Sequence, residues 1–153
     1  MKRRLLALRA IGCTTIVAVA GGCATGPTFT SPELAPAGRA QLYIYRPMVL
    51  AGGGTVHKVI IDGKAAALSL PNASWQRVLL APGPHSVAIR DYFGVMPCSP
   101  TPLSLVLDAG VTAYVANVVK TTQGIGTLYI GCTVVQRLPE QALKDMAGLR
   151  GAQ

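Results

Sequence analysis

The sequence predicts a mostly β protein: an antiparallel β-sandwich of about seven to eight strands, with a signal peptide and tether before it and a short C-terminal amphipathic helix after it. Half of the 153 residues are apolar and only 13% are charged, so the chain can bury enough surface to offset the entropy of ordering. Seventeen Gly and eleven Pro favour a turn-rich chain. From Gln41 onward, short apolar runs alternate with turn signals roughly every eight to fourteen residues, as in a sandwich or barrel.

The strand pattern runs through most of the chain. Asp62-Gly63 favours a type I′ hairpin turn, because such a turn needs positive φ at both central residues. The segment 111–119 is apolar on both faces, which is typical of a sheet that is covered twice. The predicted strands are 41–46, 55–61, 64–70, 75–81, 85–92, 102–107, 112–119 and 127–135.

The only helical pattern lies at the C-terminal end. Pro139 suits the first turn of a helix, and Glu140 lies where an acid complements the helix dipole. Lys144 follows Glu140 at i,i+4 spacing, which adds a favourable ion pair. The predicted organisation is a lipoprotein signal peptide (1–22), a lipidated Cys with a flexible tether (23–38), a β-sandwich domain (39–138), and the C-terminal helix and tail (139–153).

The first 22 residues are typical of a bacterial export signal. Four bases lie within residues 1–9, and the uncharged stretch 10–20 is shorter than the roughly 20 apolar residues of a membrane span. The stretch ends in Ala-Gly-Gly before Cys23, which resembles the lipobox of bacterial lipoproteins. The resemblance implies that Cys23 becomes the first mature residue and carries acyl chains, of which two or more anchor a protein stably. An ordinary signal peptide with a free Cys23 thiol is the alternative.

The expected location is the bacterial cell envelope. Because Ala24 rather than Asp follows Cys23, the resemblance implies sorting to the outer membrane with the body in the periplasm. Residues 24–38 contain three Pro and two Gly and are expected to be a flexible tether. Without residues 1–22 the chain has ten bases and six acids, a net charge of +4, which is too modest for a nucleic-acid surface. The membrane, reached through the N-terminal acyl chains, is therefore one expected partner.

Cys98 and Cys132 are the two cysteines that remain after Cys23. An even pair in an oxidising compartment predicts a disulfide, and two buried free thiols are the alternative. Together with His57 and His85 they include the donor types of a zinc site, but no Cys-x-x-Cys or His-x3-His spacing is present. The sequence therefore predicts no metal and no cofactor, with both histidines hydrogen-bonded at the edge of the core.

Three neighbouring residues form a candidate partner surface: Tyr43, Tyr45 and Arg46. If Leu42 and Ile44 face the core, both tyrosines share the opposite face and are placed to stack on a glycan or a partner protein. The alternative is that they lie beneath a second layer, which the two-sided apolar strands favour.

Several fragments in order carry a family resemblance: Tyr-Ile-Tyr-Arg-Pro at 43–47, Ile-Asp-Gly-Lys at 61–64, Ala-Pro-Gly-Pro-His-Ser-Val at 81–87, and Ala-Gly at 109–110 with Tyr-Val at 114–115. Between about Gly38 and Leu138 the chain resembles the bacterial lipoprotein family catalogued as domain of unknown function twenty-eight forty-six. The Pro-Gly-x-His-x-Val stretch also resembles PEGA-type β-sandwich domains. The resemblance implies an exported, lipid-anchored β-sandwich without an established activity.

No catalytic residues are predicted. The serines, acids and two histidines could be grouped as a triad on paper, but no Gly-x-Ser-x-Gly elbow or comparable motif supports one. The sequence therefore predicts a lipid-anchored, non-enzymatic interaction module that binds an envelope protein. A periplasmic lipoprotein that binds a glycan or small ligand is the alternative.

Overall fold

The computed structural model describes residues 24–94 and 96–152, where two β-sheets and one helix confirm the predicted β-sandwich. Cys23 and the signal peptide predicted over 1–22 lie outside the described residues. The elements are β1 (Ala40–Arg46), β2 (His57–Ile61), β3 (Lys64–Leu70), β4 (Ser74–Leu80), β5 (Gly83–Asp91), β6 (Leu103–Leu107), β7 (Thr112–Gly124), β8 (Thr127–Arg137), α1 (Pro139–Met146) and β9 (Arg150–Gly151).

Strand β1 occupies the centre of the larger sheet. The five-stranded sheet has the order β8-β7-β1-β4-β9, and the four-stranded sheet has the order β3-β2-β5-β6. Most neighbouring strands are antiparallel, but β1 is parallel to β7 and β4 is parallel to β9. Every residue of β1 is buried, and a strand buried on both faces needs an apolar layer on each side.

The inner layer lies between the two sheets. Alternate residues of each strand point into it, as the period of two in a strand requires. Its buried members are Ala40, Leu42, Ile44, Val59, Ile61, Leu70, Val87, Ile89, Met96, Leu105, Leu107, Ala113, Val115 and Cys132. This layer is the main hydrophobic core.

A second apolar layer covers the outer face of the five-stranded sheet. Tyr43, Tyr45 and Tyr114 project from the sheet into this layer, where Phe29 and Met146 pack against them. Met146 belongs to α1, and Phe29 belongs to the segment that precedes β1. The two-sided apolar pattern of β7 predicted such a layer, and the structure confirms it.

The segment predicted as a flexible tether over 23–38 is docked in part, because residues 26–29 pair with the strand around Gly151. The Gly26 amide donates a hydrogen bond to the Gly151 carbonyl at 3.0 Å, and the Phe29 amide donates to the Leu149 carbonyl at 2.8 Å. A Cβ atom on Gly26 would clash with the Gly151 backbone, so glycine permits this close approach. The Pro- and Gly-rich composition of this segment does not indicate the two contacts that stabilise it. These contacts are the backbone pairing beside β9 and the packing of Phe29 in the outer layer.

The short C-terminal helix is confirmed, and it occupies the first part of the predicted helix and tail over 139–153. It begins with Pro139 and has Glu140 in its first turn and Lys144 in its last, as expected, but it ends at Met146. Gly148 then adopts a φ of 81°, and the chain continues as β9. Among the described residues, no helix has the length and apolarity needed to cross a bilayer.

Strands β7 and β8 extend beyond the rest of their sheet. They pair from Tyr114 with Arg137 up to Gly124 with Thr127, whereas the pairing of β7 with β1 ends at Ala116. We call residues 120–131 the ribbon. Within the described residues, β8 is the only named strand that pairs with β7 there, so the ribbon is a two-stranded extension of the sandwich.

Substitution of Phe29 tests whether the N-terminal segment is docked. Phe29→Ala is expected to lower the free energy of unfolding by about 3 kcal/mol, because Phe29 is buried against Tyr43 and Trp75. Chemical denaturation measures this change. Leu34→Ala is the control, since Leu34 is 93% exposed and its truncation should change stability by less than about 0.5 kcal/mol. Equal effects of the two substitutions would contradict docking.

Candidate functional site

The partner surface expected at Tyr43, Tyr45 and Arg46 is wrong, because all three side chains are buried, with 1%, 0% and 0% of their surface exposed. The Tyr43 hydroxyl accepts a hydrogen bond from the Glu33 amide at 3.0 Å, and the Tyr45 hydroxyl donates to Asp145 at 2.7 Å. Burial, followed by the hydrogen bond to Asp145, raises the pKa of Tyr45 well above its usual value. Both tyrosines are therefore buried members of the outer layer and do not face solvent.

Arg46 points the opposite way from the tyrosines. Side chains alternate along a strand, so Arg46 shares the inward direction of Leu42 and Ile44. Its guanidinium donates to the Thr55 carbonyl at 2.6 Å and to the Gly52 carbonyl at 2.7 Å. Burial lowers the pKa of Arg46, while the charge of Asp91 opposes that shift. Arg46 thus closes one end of the inner layer by binding the loop between β1 and β2.

Arg46 belongs to a buried polar cluster, which we define as Arg46, His57, Asp91 and Asn117. The Asn117 amide lies against His57 Nδ1, and His57 Nε2 lies 3.1 Å from the Thr55 hydroxyl. The Asn117 nitrogen can only donate, so His57 carries its hydrogen on Nε2. Burial, followed by the charge of Arg46, lowers the pKa of His57 to about 4, and the ring is therefore neutral at pH 7.

A disulfide between Cys98 and Cys132 lies beside the polar cluster and confirms the predicted pairing. Backbone hydrogen bonds hold the two segments together: the Cys132 amide donates to the Pro97 carbonyl at 3.0 Å, and the Ser99 amide donates to the Cys132 carbonyl at 2.7 Å. One ligand atom each of His57, Cys98 and Cys132 lies within 4.8 Å of the other two. Of the four residues with donor types suited to zinc, His57, Cys98 and Cys132 therefore lie close together in the structure.

His85, the fourth, lies at the opposite end of the sandwich. Its Nδ1 is 2.8 Å from an Asp62 carboxylate oxygen, and its Nε2 is 2.8 Å from the Ala81 carbonyl. The same carboxylate accepts a hydrogen bond from the Ser86 amide at 2.8 Å. Because both ring nitrogens are engaged, neither is available to a nucleophile, and the group ties the β2–β3 turn to β5 rather than forming a triad.

A shallow cleft lies on the outer side of the four-stranded sheet. Its volume is about 660 Å³, and its lining includes Ile60, Ala88, Arg90, Cys98 and Pro102. Small and apolar side chains dominate the lining, and Arg90 and Asp91 contribute opposite charges. A second, smaller groove of about 240 Å³ lies beside the ribbon and is lined in part by Tyr129 and Cys132. The disulfide therefore lies between two depressions of the surface.

Exposed apolar side chains gather at one end of the sandwich, which we call the ribbon end. Here β1, β3 and β5 finish, β2 and β4 begin, and β7 and β8 continue outward. Tyr92 and Phe93 form an exposed aromatic pair with ring centroids 5.1 Å apart, and Lys58 Nζ lies 4.3 Å from the centre of the Tyr92 ring. The exposed apolar residues at this end are Met48, Leu50, Tyr92, Phe93, Ile125, Leu128 and Tyr129.

Sequence reasoning missed the polar cluster and the ribbon. Asn117 lies in an apolar strand, and His57 alternates with Val59. The alternation of a strand shows which face of the sheet a residue occupies, but it does not show which residues of other strands lie next to it. The strand prediction ended at residue 119, although β7 continues to Gly124. Comparison with known protein families, curated proteins and solved structures finds no match to this chain.

The Asp62–His85 pair predicts a pH dependence of stability. Hydrogen bonds to Asp62 and to Ala81 raise the pKa of His85, so its contribution is present below about pH 6.5 and is lost as the pH rises through the folded-state value. Hydrogen bonds from His85 and Ser86 lower the pKa of Asp62, so its contribution is lost as the pH falls below the ordinary carboxyl range. The pair should therefore stabilise the fold most at about pH 5.

Asp62→Asn tests this dependence, because Asn tolerates the positive φ of this turn position. Since Asp62 is largely exposed, the stability difference from the unsubstituted protein should stay below about 1 kcal/mol near pH 5 and shrink towards pH 9. Denaturant titrations at several pH values measure it. Ser104→Ala, a neighbouring uncharged change, should show no such trend. A difference that is constant with pH would contradict the ion pair.

Proposed function

We propose that this chain is a lipid-anchored, non-enzymatic interaction module of the bacterial cell envelope, held at the outer membrane through Cys23 with its body in the periplasm. The ribbon is its contact element. One observation carries the proposal: the ribbon projects from the sandwich with exposed apolar side chains, and within 120–131 its two strands pair only with each other among the described residues. The lipobox-like pattern before Cys23 supports the anchor.

The position of the N-terminal segment supports a contact away from the anchor. Residues 24–29 lie beside β9, and the ribbon belongs to β7 and β8 at the other edge of the same sheet. Strands β9 and β8 are four steps apart, which is about 19 Å at the usual strand spacing. An anchor on Cys23 would thus hold the β9 edge near the bilayer and leave the ribbon edge free to meet another molecule.

The chemistry of the ribbon favours a protein partner. An isolated two-stranded ribbon is marginally stable in water, and an unguarded edge is a template for another strand. Ile125, Leu128 and Tyr129 are exposed there, and Lys120 is the only charged residue within 120–131. A partner that supplies a β-strand edge and apolar side chains would satisfy both the unpaired backbone and the exposed side chains.

The contacts of the two histidines support a non-enzymatic role. Both nitrogens of His85 are engaged by Asp62 and Ala81, and His57 is fully buried and neutral at pH 7. A nucleophile needs a base that can accept its proton within hydrogen-bond reach. Neither histidine is arranged for that task among the described residues.

A small-ligand-binding lipoprotein remains a second candidate because of the cleft on the four-stranded sheet. Tyr43 and Tyr45 are buried, so a glycan or apolar ligand would bind elsewhere, and this cleft of about 660 Å³ offers a site. Its volume is within the usual range for ligand sites. Its polar lining residues are Ser86, Arg90, Asp91 and Ser99. The ribbon is the preferred contact element because its apolar side chains are exposed.

Replacement of the anchoring cysteine tests the location. Cys23→Ser is expected to move the protein from the membrane fraction to the soluble periplasmic fraction, because the acyl chains would have no thiol to carry them. Fractionation followed by immunoblotting measures this. Cys13→Ser lies within the predicted signal peptide and should leave the protein in the membrane. Persistence of Cys23→Ser in the membrane fraction would rule out lipidation as the anchor.

Site-specific photo-crosslinking in intact cells tests the ribbon as the contact element. A photoreactive residue at Leu128 is expected to give a reproducible crosslink to one envelope protein. The same residue at Val106, which is also exposed but lies on the four-stranded sheet, should not give it. Mass spectrometry identifies the products. Crosslinks to peptidoglycan fragments alone, from cleft positions such as Ala88, would instead favour the ligand-binding candidate.

A further inference from the structure

The disulfide and the neighbouring histidine bring together the donor set of a soft or borderline metal ion. We propose that reduction of the Cys98–Cys132 disulfide opens a zinc site whose ligands are the two thiolates and His57. The carrying observation is geometric: one ligand atom from each of the three residues lies within 4.8 Å of the others. This inference does not depend on the proposed role of the ribbon.

The distances suit zinc after a small rearrangement. Zinc binds sulfur at about 2.3 Å and imidazole nitrogen at about 2.0–2.1 Å, so tetrahedral ligand atoms lie about 3.5–3.8 Å apart. Once the sulfur–sulfur bond is broken, the two sulfurs must separate and His57 must approach them by about 1 Å. The Cα atoms of Cys98 and Cys132 are 4.3 Å apart, and their backbones stay paired through residues 97–99. The proposed rearrangement is therefore one of side chains, with the paired backbones of the two cysteines kept in place.

Charge balance favours a divalent ion. Arg46 and Asp91 are the charged groups that act on His57, and their charges are opposite. Two thiolates and a neutral imidazole then balance one Zn²⁺, so the buried site has no net charge. A buried charge is tolerated only when it is compensated, and the soft thiolates and imidazole are ligands that zinc prefers.

The surroundings of His57 suit a metal ligand. In the tautomer set by its contacts, Nε2–H donates to the Thr55 hydroxyl and fixes the ring, as the second nitrogen of a zinc-bound histidine usually does. Nδ1 holds the lone pair, and zinc would replace the Asn117 amide as its partner. Asn117 Oδ1 is buried and has no hydrogen-bond partner among the described residues, so it provides an acceptor for a fourth, solvent-derived ligand.

Reduction of the disulfide requires a dithiol reductant, which supplies the two electrons and two protons. Thiol–disulfide exchange breaks the Cys98–Cys132 bond, and the reductant becomes a disulfide while two electrons and two protons pass to the cysteines. Zinc then displaces both thiol protons to solvent as the two zinc–sulfur bonds form. Cys98 lines the larger cleft and Cys132 the smaller groove, so both the reductant and the ion approach from the surface.

Metal titration of the full chain tests this proposal. Cys13→Ser and Cys23→Ser are introduced so that Cys98 and Cys132 are its only thiols, and Co²⁺ is the spectroscopic probe. The reduced protein is expected to bind one Co²⁺ with a thiolate-to-cobalt charge-transfer band that Zn²⁺ abolishes, whereas the oxidised protein should bind none. His57→Gln should weaken Zn²⁺ binding more than about tenfold, and His85→Gln should leave it unchanged.

Three results would overturn the site. The first is a reduced, folded protein that binds neither ion, and the second is a His57→Gln variant that binds Zn²⁺ as tightly as the parent. The third concerns a chain that unfolds when it is reduced. Zn²⁺ should then restore its near-ultraviolet circular dichroism signal, and a signal that does not return would overturn the site. If His57→Gln does not fold, X-ray absorption spectroscopy of the zinc-loaded parent protein tests the ligand set. A zinc coordination shell that contains no imidazole nitrogen would contradict the assignment of His57 as a ligand.

Discussion

The burial of β1 on both faces is the constraint on which the rest of the structure depends. Every residue of this strand is enclosed, with β4 and β7 as its neighbours in the sheet. The inward side chains of Leu42 and Ile44 are apolar, and Arg46 closes the end of that row, whereas the outward tyrosines carry hydroxyls that need partners. The Glu33 amide and the Asp145 carboxylate supply those partners. The N-terminal segment and α1 are therefore structural parts of the sandwich.

The two ends of the sandwich differ in character. At the end marked by the Asp62-Gly63 turn, exposed ion pairing and short turns close the structure. At the ribbon end, the inner layer gives way to the buried polar cluster, and Arg46 binds loop carbonyls instead of packing against apolar side chains. The disulfide, the groove beside the ribbon and the exposed aromatic pair lie towards this end, and the larger cleft extends from the disulfide along the four-stranded sheet to Gly63. The ribbon end therefore combines buried polar groups with exposed apolar side chains.

Local patterns predicted much of the fold because each strand carries its own signal. All eight predicted strands exist, and the Asp62-Gly63 turn has positive φ at both residues. The disulfide followed from the number of cysteines and their expected compartment. The buried polar cluster could not be predicted in this way, since it joins residues from β1, β2, β5 and β7 that only the sheet topology brings together. The predicted partner surface places Arg46 on the same face as its sequence neighbour Tyr45. Adjacent residues in a strand face opposite ways, so the two side chains lie on opposite faces of the sheet.

The pairing of residues 24–29 with the strand around Gly151 has a consequence for folding. This contact joins two segments that lie far apart in the sequence, so the outer layer is complete only when both have docked. Until then the tyrosines of β1 lack their cover, and the sheet remains incomplete. Folding of the tyrosine face therefore waits for a contact of high sequence separation, which costs more chain entropy to close than a hairpin does.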